Sequence, residues 1–303
     1  MKSRRDASRL LIALTTLALA AFLAGCSDDP TTPTADQTQA TATVDKDAAQ
    51  AVAADVATDS GGLTDQLNDI ALALGGLGGP GAKAGDQPSF PDSSFVHERF
   101  RSAVYDSQAG TWTITLSREN GFPEGVPYHA MSRVFTLRLL GPGGQPQQFR
   151  VVDGDTATSA EYAIVSGTGV LRTQRRSHTL NELNGSFTIT GLDQPLLVIN
   201  GTYHRDASNV LTTPRFVRTL DGVLDVTLTD VTVPRLPRVA FCDGVSGTIA
   251  GTWVADITVT RGDDYVEQHV ERDILIELGG CEADIHCGGL RFVAPLGTGD
   301  VRP

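Results

Sequence analysis

From Phe95 to the end of the chain, apolar residues recur at every second position. Trp112, Ile114 and Leu116 alternate with Thr111, Thr113 and Thr115, and Phe135, Leu137 and Leu139 with Thr136 and Arg138. Leu224, Val226 and Leu228 alternate with Asp225, Thr227 and Thr229. Val266, Val270, Ile274, Ile276 and Leu278 share one parity, while Glu267, His269, Glu271 and Asp273 share the other. Successive side chains of a strand point to opposite faces, so this period makes one apolar and one wet face. Antiparallel sheets accept that division. The expectation is a mainly β fold of roughly 10 to 12 strands, an antiparallel meander joined mostly by local hairpins. Closing or half-closing a long meander hides its edges, which favours a barrel-like or half-barrel sheet. A two-layer sandwich is the alternative.

Turn chemistry points the same way. Asn120-Gly121, Asn184-Gly185, Asn200-Gly201, Asp153-Gly154, Asp221-Gly222 and Asp243-Gly244 are pairs that accept the positive φ angles of tight hairpins. A smaller signature recurs at Gly110-Thr111-Trp112, Gly185-Ser186-Phe187, Gly201-Thr202-Tyr203 and Gly251-Thr252-Trp253. It reads as turn glycine, small polar residue, inward aromatic. Its unequal intervals exclude a fixed-period repeat.

Ahead of the β pattern the period changes. Val44, Ala48, Val52 and Val56 recur every four residues, and Leu63, Leu67, Ile70 and Leu74 fall on one helical face. Ser60-Gly61-Gly62 and Gly75-Gly76 bound two short helices, and Thr64 can cap the second. Helices this short are marginal alone and need a surface to pack on; narrow, Ala-rich stripes suit the chain's own sheet better than a partner. A Gly/Pro-rich stretch over 75–92 reads as a linker.

The first residues explain where such a domain would live. Lys2, Arg4, Arg5 and Arg9 precede an apolar run from Leu10 to Leu23, and Leu23-Ala24-Gly25-Cys26 closes it. The run falls short of the ~20 residues that span a bilayer comfortably as a helix, so it reads as a cleaved signal peptide over 1–25. The segment resembles the lipobox of bacterial lipoprotein precursors. The resemblance implies diacylglycerol on the sulfur of Cys26, N-acylation (palmitate among the chains), and a membrane anchor. By the same resemblance Ser27, rather than Asp, after Cys26 favours the outer over the inner membrane of the cell envelope. Residues 26–43, rich in Thr, Pro, Asp and Gln, read as a flexible tether, 44–74 as the helical segment, 93–296 as the β domain and 297–303 as a disordered tail.

Removing the first 25 residues leaves 20 basic against 35 acidic residues, a net charge of −15. That argues against a nucleic-acid partner. Beyond Cys26 the chain has Cys242, Cys281 and Cys287. An exported chain meets an oxidising compartment, so one disulfide and one spare thiol are expected, with the pairing open.

Candidate chemistry is sparse. Cys242, Cys281, His286 and Cys287 are zinc-type ligands without the usual CxxC spacing. Glu267, Glu271 and Asp273 could form an acid–base site only within a cleft. Arg261-Gly262-Asp263 and Asp153-Gly154-Asp155 read as turns rather than as an adhesion motif or a calcium loop. Arg172, Arg175, Arg176 and His178 form a basic stretch suited to a solvated strand or loop. No nucleophile elbow, HExxH, P-loop or dinucleotide fingerprint occurs, so nothing points to an enzyme or a cofactor. The expected function is a non-enzymatic, lipid-anchored envelope protein whose β domain binds a hydrophobic ligand or an envelope partner. A scaffold lipoprotein without a ligand, or a hydrolase with an unrecognised acidic site, are the alternatives. The expected shape is similar in outline to the half-barrel lipoprotein and lipid carriers of bacterial envelopes.

Overall fold

The computed structural model describes residues 35–77, 98–235 and 244–302. The signal segment, Cys26, Ser27 and Cys242 lie outside the described residues. Two helices, α1 (Ala35–Val56) and α2 (Leu63–Gly76), precede the strands. In order these are β1 (Glu98–Asp106), β2 (Thr111–Gly121), β3 (Tyr128–Leu140), β4 (Pro146–Gln147), β5 (Val151–Val152), β6 (Asp155–Thr156) and β7 (Ser159–Arg172). There follow β8 (Arg176–Thr190), β9 (Leu196–Thr212), β10 (Val217–Pro234), β11 (Ser246–Arg261), β12 (Asp264–Gly279), β13 (Glu282–Cys287) and β14 (Leu290–Pro295). Twelve strands form one sheet in the order β1-β2-β3-β7-β8-β9-β10-β11-β12-β13-β14, with β4 on β3. Every pairing is antiparallel. The sheet does not close, so the mainly β meander takes its half-open form. None of the described helices is long and apolar enough to cross a membrane.

The alternating residues take the expected sides. Trp112, Ile114, Leu116, Phe135, Leu137, Leu139, Leu224, Val226 and Leu228 are all buried. They pack directly onto α1 and α2 in one continuous core. The sheet therefore curls around the chain's own helices. Their burial goes beyond a stripe: Leu63 to Leu67 and Asp69 to Leu74 are buried without interruption. Leu63, Leu67, Ile70 and Leu74 are at most 1 % exposed, each stabilising the fold by roughly 1.5–3 kcal/mol. Gly62, not Thr64, occupies the N-cap of α2, with no side-chain cap bond.

Three expectations change. Helix α1 begins at Ala35, inside the stretch read as tether, and the helical segment is part of the β domain's core rather than separated from it. The last residues are bonded rather than loose: Gln50 Nε2 donates to Gly299 O (2.8 Å), Val301 N donates to Gln50 Oε1 (3.1 Å), and Arg302 bridges to Val293. Finally, three of the six Asn-Gly and Asp-Gly pairs lie inside strands rather than at hairpin turns, and Asp243 lies outside the described residues. Asp153-Gly154 turns between β5 and β6, but Asn184-Gly185, Asn200-Gly201 and Asp221-Gly222 lie inside β8, β9 and β10. Among the described residues, two-residue turns join successive strands of the main sheet at Gly262-Asp263, Gly280-Cys281 and Gly288-Gly289. Strands of up to 18 residues need fewer turns than the usual short strand, and their glycines serve close approach instead. At Gly201, φ is +155°, and a Cβ would sit 2.1 Å from Ser186 O and 3.0 Å from the Phe187 ring. The recurrent signature is thus a strand glycine beside an inward aromatic at three of its four sites; only Gly110 precedes a strand from a turn. Gly201→Ala is expected to cost about 3 kcal/mol in urea unfolding. Gly279→Ala, facing open space, should stay within about 0.5 kcal/mol.

Candidate functional site: a buried charge network

The inward face of the sheet carries arginines where its alternation calls for apolar residues. Arg118 follows Trp112, Ile114 and Leu116 in the same parity on β2, Arg133 precedes Phe135 on β3, and Arg205 follows Tyr203 on β9. All three are buried, Arg205 completely. They meet the acidic side chains of the helices. Asp65 and Asp69 stand one turn apart on α2, so both carboxylates face the same way. Arg118 grips both, through Nη1 to Asp65 Oδ1 and Nη2 to Asp69 Oδ1. Arg133 Nη1 lies 2.9 Å from Asp65 Oδ2 and also contacts Asp69 Oδ2. Its Nη2 donates to Gly61 O in the turn between the helices (2.5 Å).

Arg205 completes the arrangement from the other side. It donates through Nε to Asp55 Oδ1 (3.1 Å), Nη1 to Gly61 O (2.8 Å) and Nη2 to Ser60 O (3.1 Å). Its Nη2 also lies 2.7 Å from His178 Nε2, while His178 Nδ1 lies 2.8 Å from Asn209 Oδ1. Since a guanidinium can only donate, His178 accepts at Nε2 and donates from Nδ1: it is neutral. Gln66 donates to the Tyr162 hydroxyl from α2 to β7. Nearer the surface, Arg272 pairs with Asp45 (2.7 Å) and Arg218 with Asp47 (2.5 Å). An acidic helical hairpin is thus clasped by arginines from five strands.

Electrostatics follow from the geometry. Burial raises the Asp55 carboxyl to about 6, against the pull of Arg205. Burial would also raise Asp65, but Arg118 and Arg133 outweigh it and hold its pKa below the usual range. Asp69 goes the other way, pushed up by burial and by the Asp65 charge despite the same arginines. His178 falls to about 3, through burial and the adjacent Arg205 charge. Three aspartates and three arginines balance, as buried charges must. The arrangement fixes the helices against the sheet; it leaves no nucleophile beside a base.

The residues singled out from the sequence do not gather. Glu267, Glu271 and Asp273 are exposed on β12, and the residues directly opposite them are Thr258, Val254 and Thr252, none of them a carboxylate; Asp256 on the same face pairs with His269. Cys281 is disulfide-bonded, Cys287 is a buried free thiol, and His286 pairs with Glu277 at 3.4 Å. A zinc set of Cys242, Cys281, His286 and Cys287 therefore loses the Cys281 thiolate. No metal-holding group occurs among the described residues. Arg261-Gly262-Asp263 and Asp153-Gly154 are turns. The basic stretch divides: Arg172 donates to Pro123 O and covers the Tyr128 ring (5.3 Å), Arg175 is exposed, and His178 is buried rather than solvated. Neither a protein-family model, nor a curated protein, nor a solved structure matches this chain.

Proposed function

We propose that this chain is a lipid-anchored, non-enzymatic protein of the cell envelope that works through the outside of its β domain on an envelope partner. The lipobox-like Leu23-Ala24-Gly25-Cys26 supports the anchor, with Cys26 as the lipidated residue and the outer membrane as its place. One observation carries the rest: the concave face, where a half-barrel carrier would hold its ligand, is occupied by the chain's own helices, locked by balanced buried charges. Of the two binding readings, a partner is therefore favoured over a lipid-like ligand. Exposed apolar side chains support this: Phe122 (81 %) and Val126 in the β2–β3 connection, and Tyr265 and Val266 at the start of β12.

Native mass spectrometry of the chain from Ser27 onward, which lacks the lipidated cysteine, exported and purified without reductant or chelator, tests the reading. The expected result is a bare chain two hydrogens lighter than its reduced mass. A stoichiometric lipid-sized adduct would favour the carrier reading instead.

A further inference from the structure

We infer that β1 is a docking edge for a second copy of this chain, the two strands pairing antiparallel about a two-fold axis at Val104. This is independent of the envelope reading above. It starts from the sheet being open. The last strand of an open sheet presents a row of N–H and C=O groups that fits another extended strand. The ends of this sheet are not treated alike. At one end the chain covers β14 with its own last residues: Val293 N donates to Arg302 O (3.0 Å) and Arg302 N to Val293 O (2.8 Å). The first half of β12 lies beyond the reach of β13, which pairs only from Ile274 on. That half carries Asp264, Glu267, Glu271 and Asp273, all exposed, and such charges keep a like strand away.

The other end lacks these devices. β1 pairs with β2 on one side and, among the described residues, with no strand on the other. Past the register shift between Phe100 and Ser102 it runs regularly from Ser102 to Asp106. This stretch holds no proline and no lysine, and Asp106 is its one charge. Val104 stands at its centre, 63 % exposed. The Asp106 carboxylate already accepts from Gln108 N (2.8 Å) and Ala109 N (3.1 Å), so it needs no cation from a partner.

Symmetry selects the register and favours a second copy. A two-fold axis normal to the sheet keeps each face on its own side, so a residue meets only residues of its own parity. Centred on Val104, the pairing sets Val104 against its counterpart, Ser102 against Asp106, and Ala103 against Tyr105, the two that face the core. Any other centre pairs fewer residues of the regular stretch. No like charges stand directly opposite, which antiparallel pairs penalise. The outward row behind Val104 continues through Thr113, Thr136 and Ala163, none of them charged. A strongly acidic chain thus meets itself across neutral surface. So short a paired stretch falls below the area of a standard interface, which makes the dimer a weak one.

Sedimentation velocity of the chain from Ser27 onward, across low to high micromolar concentrations, should show a monomer passing into a dimer, with half-association on the order of tens of micromolar. Val104→Lys sets two like charges on the axis and should weaken association about tenfold. The site is exposed, so circular dichroism and the urea midpoint should stay as they are. The register has its own readout. Val104→Cys should form a covalent dimer with diamide, two thiols giving one disulfide while the diazene takes up both hydrogens. Val217→Cys, exposed on β10 between two paired strands, should not. A monomer at every concentration, as where another protein or the chain's own residues take the edge, would overturn the assignment. So would a dimer indifferent to Val104→Lys, or cross-linking as efficient with Val217→Cys as with Val104→Cys.

Discussion

Replacing Arg133 by methionine is expected to lower the unfolding free energy by about 3–5 kcal/mol. Methionine keeps much of the volume and removes the charge. Asp65 and Asp69 would then share Arg118 alone, and Gly61 O would lose one of its two arginine donors. The cost comes mainly from stranding those groups in the core, not from losing a favourable pair. A second substitution separates the two causes. Asp69→Leu added to Arg133→Met removes one stranded carboxylate, so the double variant should recover a substantial part of the loss. Whole-domain stabilities run to only about 5–15 kcal/mol, so the single variant should show a clear fall in urea midpoint. A loss below about 1 kcal/mol would mean that the arginine reaches water and that the network is not the clasp described.

The second large effect is a pH dependence tied to His178. Its pKa is about 3 in the fold against 6.5 ordinarily. Between those values the unfolded chain binds a proton that the folded chain refuses, so the contribution of His178 to stability falls as pH is lowered. Asp55 has the opposite sign. Its folded pKa of about 6 lies above the ordinary 3.8, so the folded chain holds a proton that the unfolded chain releases, and stability rises as pH falls through that window. These two groups thus contribute offsetting terms to the native profile. His178→Gln removes one of them while keeping a group able to accept from Arg205 and donate to Asn209. Relative to the native protein, this variant should gain about 1.4 kcal/mol per unit of acidification between pH 6 and pH 4. Parallel urea-stability profiles for the two proteins would contradict a neutral, buried His178.

The architecture was readable because the alternation of Trp112, Ile114 and Leu116, and of Leu224, Val226 and Leu228, reflects a physical division between a dry and a wet face. The network was not read, although its signal was present. Arg118, Arg133 and Arg205 share the parity of their buried neighbours, so each sits where a one-sided sheet should be dry. A charged residue at an inward position needs an opposite charge, and Asp65 with Asp69 one turn apart is such a partner. What hid the pairing was sequence distance. From Arg205 to Asp55 is 150 residues, and nothing local links them. The Ala-rich helices misled for a related reason. Stripes suggest one buried face, whereas Ala49, Ala51, Ala53 and Ala54 are small enough to let the sheet approach on several sides. The glycine pairs failed because Asn-Gly and Asp-Gly allow both a tight turn and a close cross-strand contact. Only the register of strands 15 to 18 residues long at β8, β9 and β10 distinguishes the two uses.

The inward arginines also bear on how the protein works. A lid that opens for a ligand would be drawn from the least stable part of a fold. The helices here make up the centre of the core and carry half of its buried charge balance. Native-state hydrogen exchange across α2 therefore tests the account most directly. If the hairpin is a permanent filling, the amides from Leu67 to Leu74 should exchange only by global unfolding, as slowly as the most protected amides of β9 and with the same denaturant dependence. Exchange in α2 that is orders of magnitude faster while β9 stays protected would show a detachable hairpin and a concavity free to receive something else.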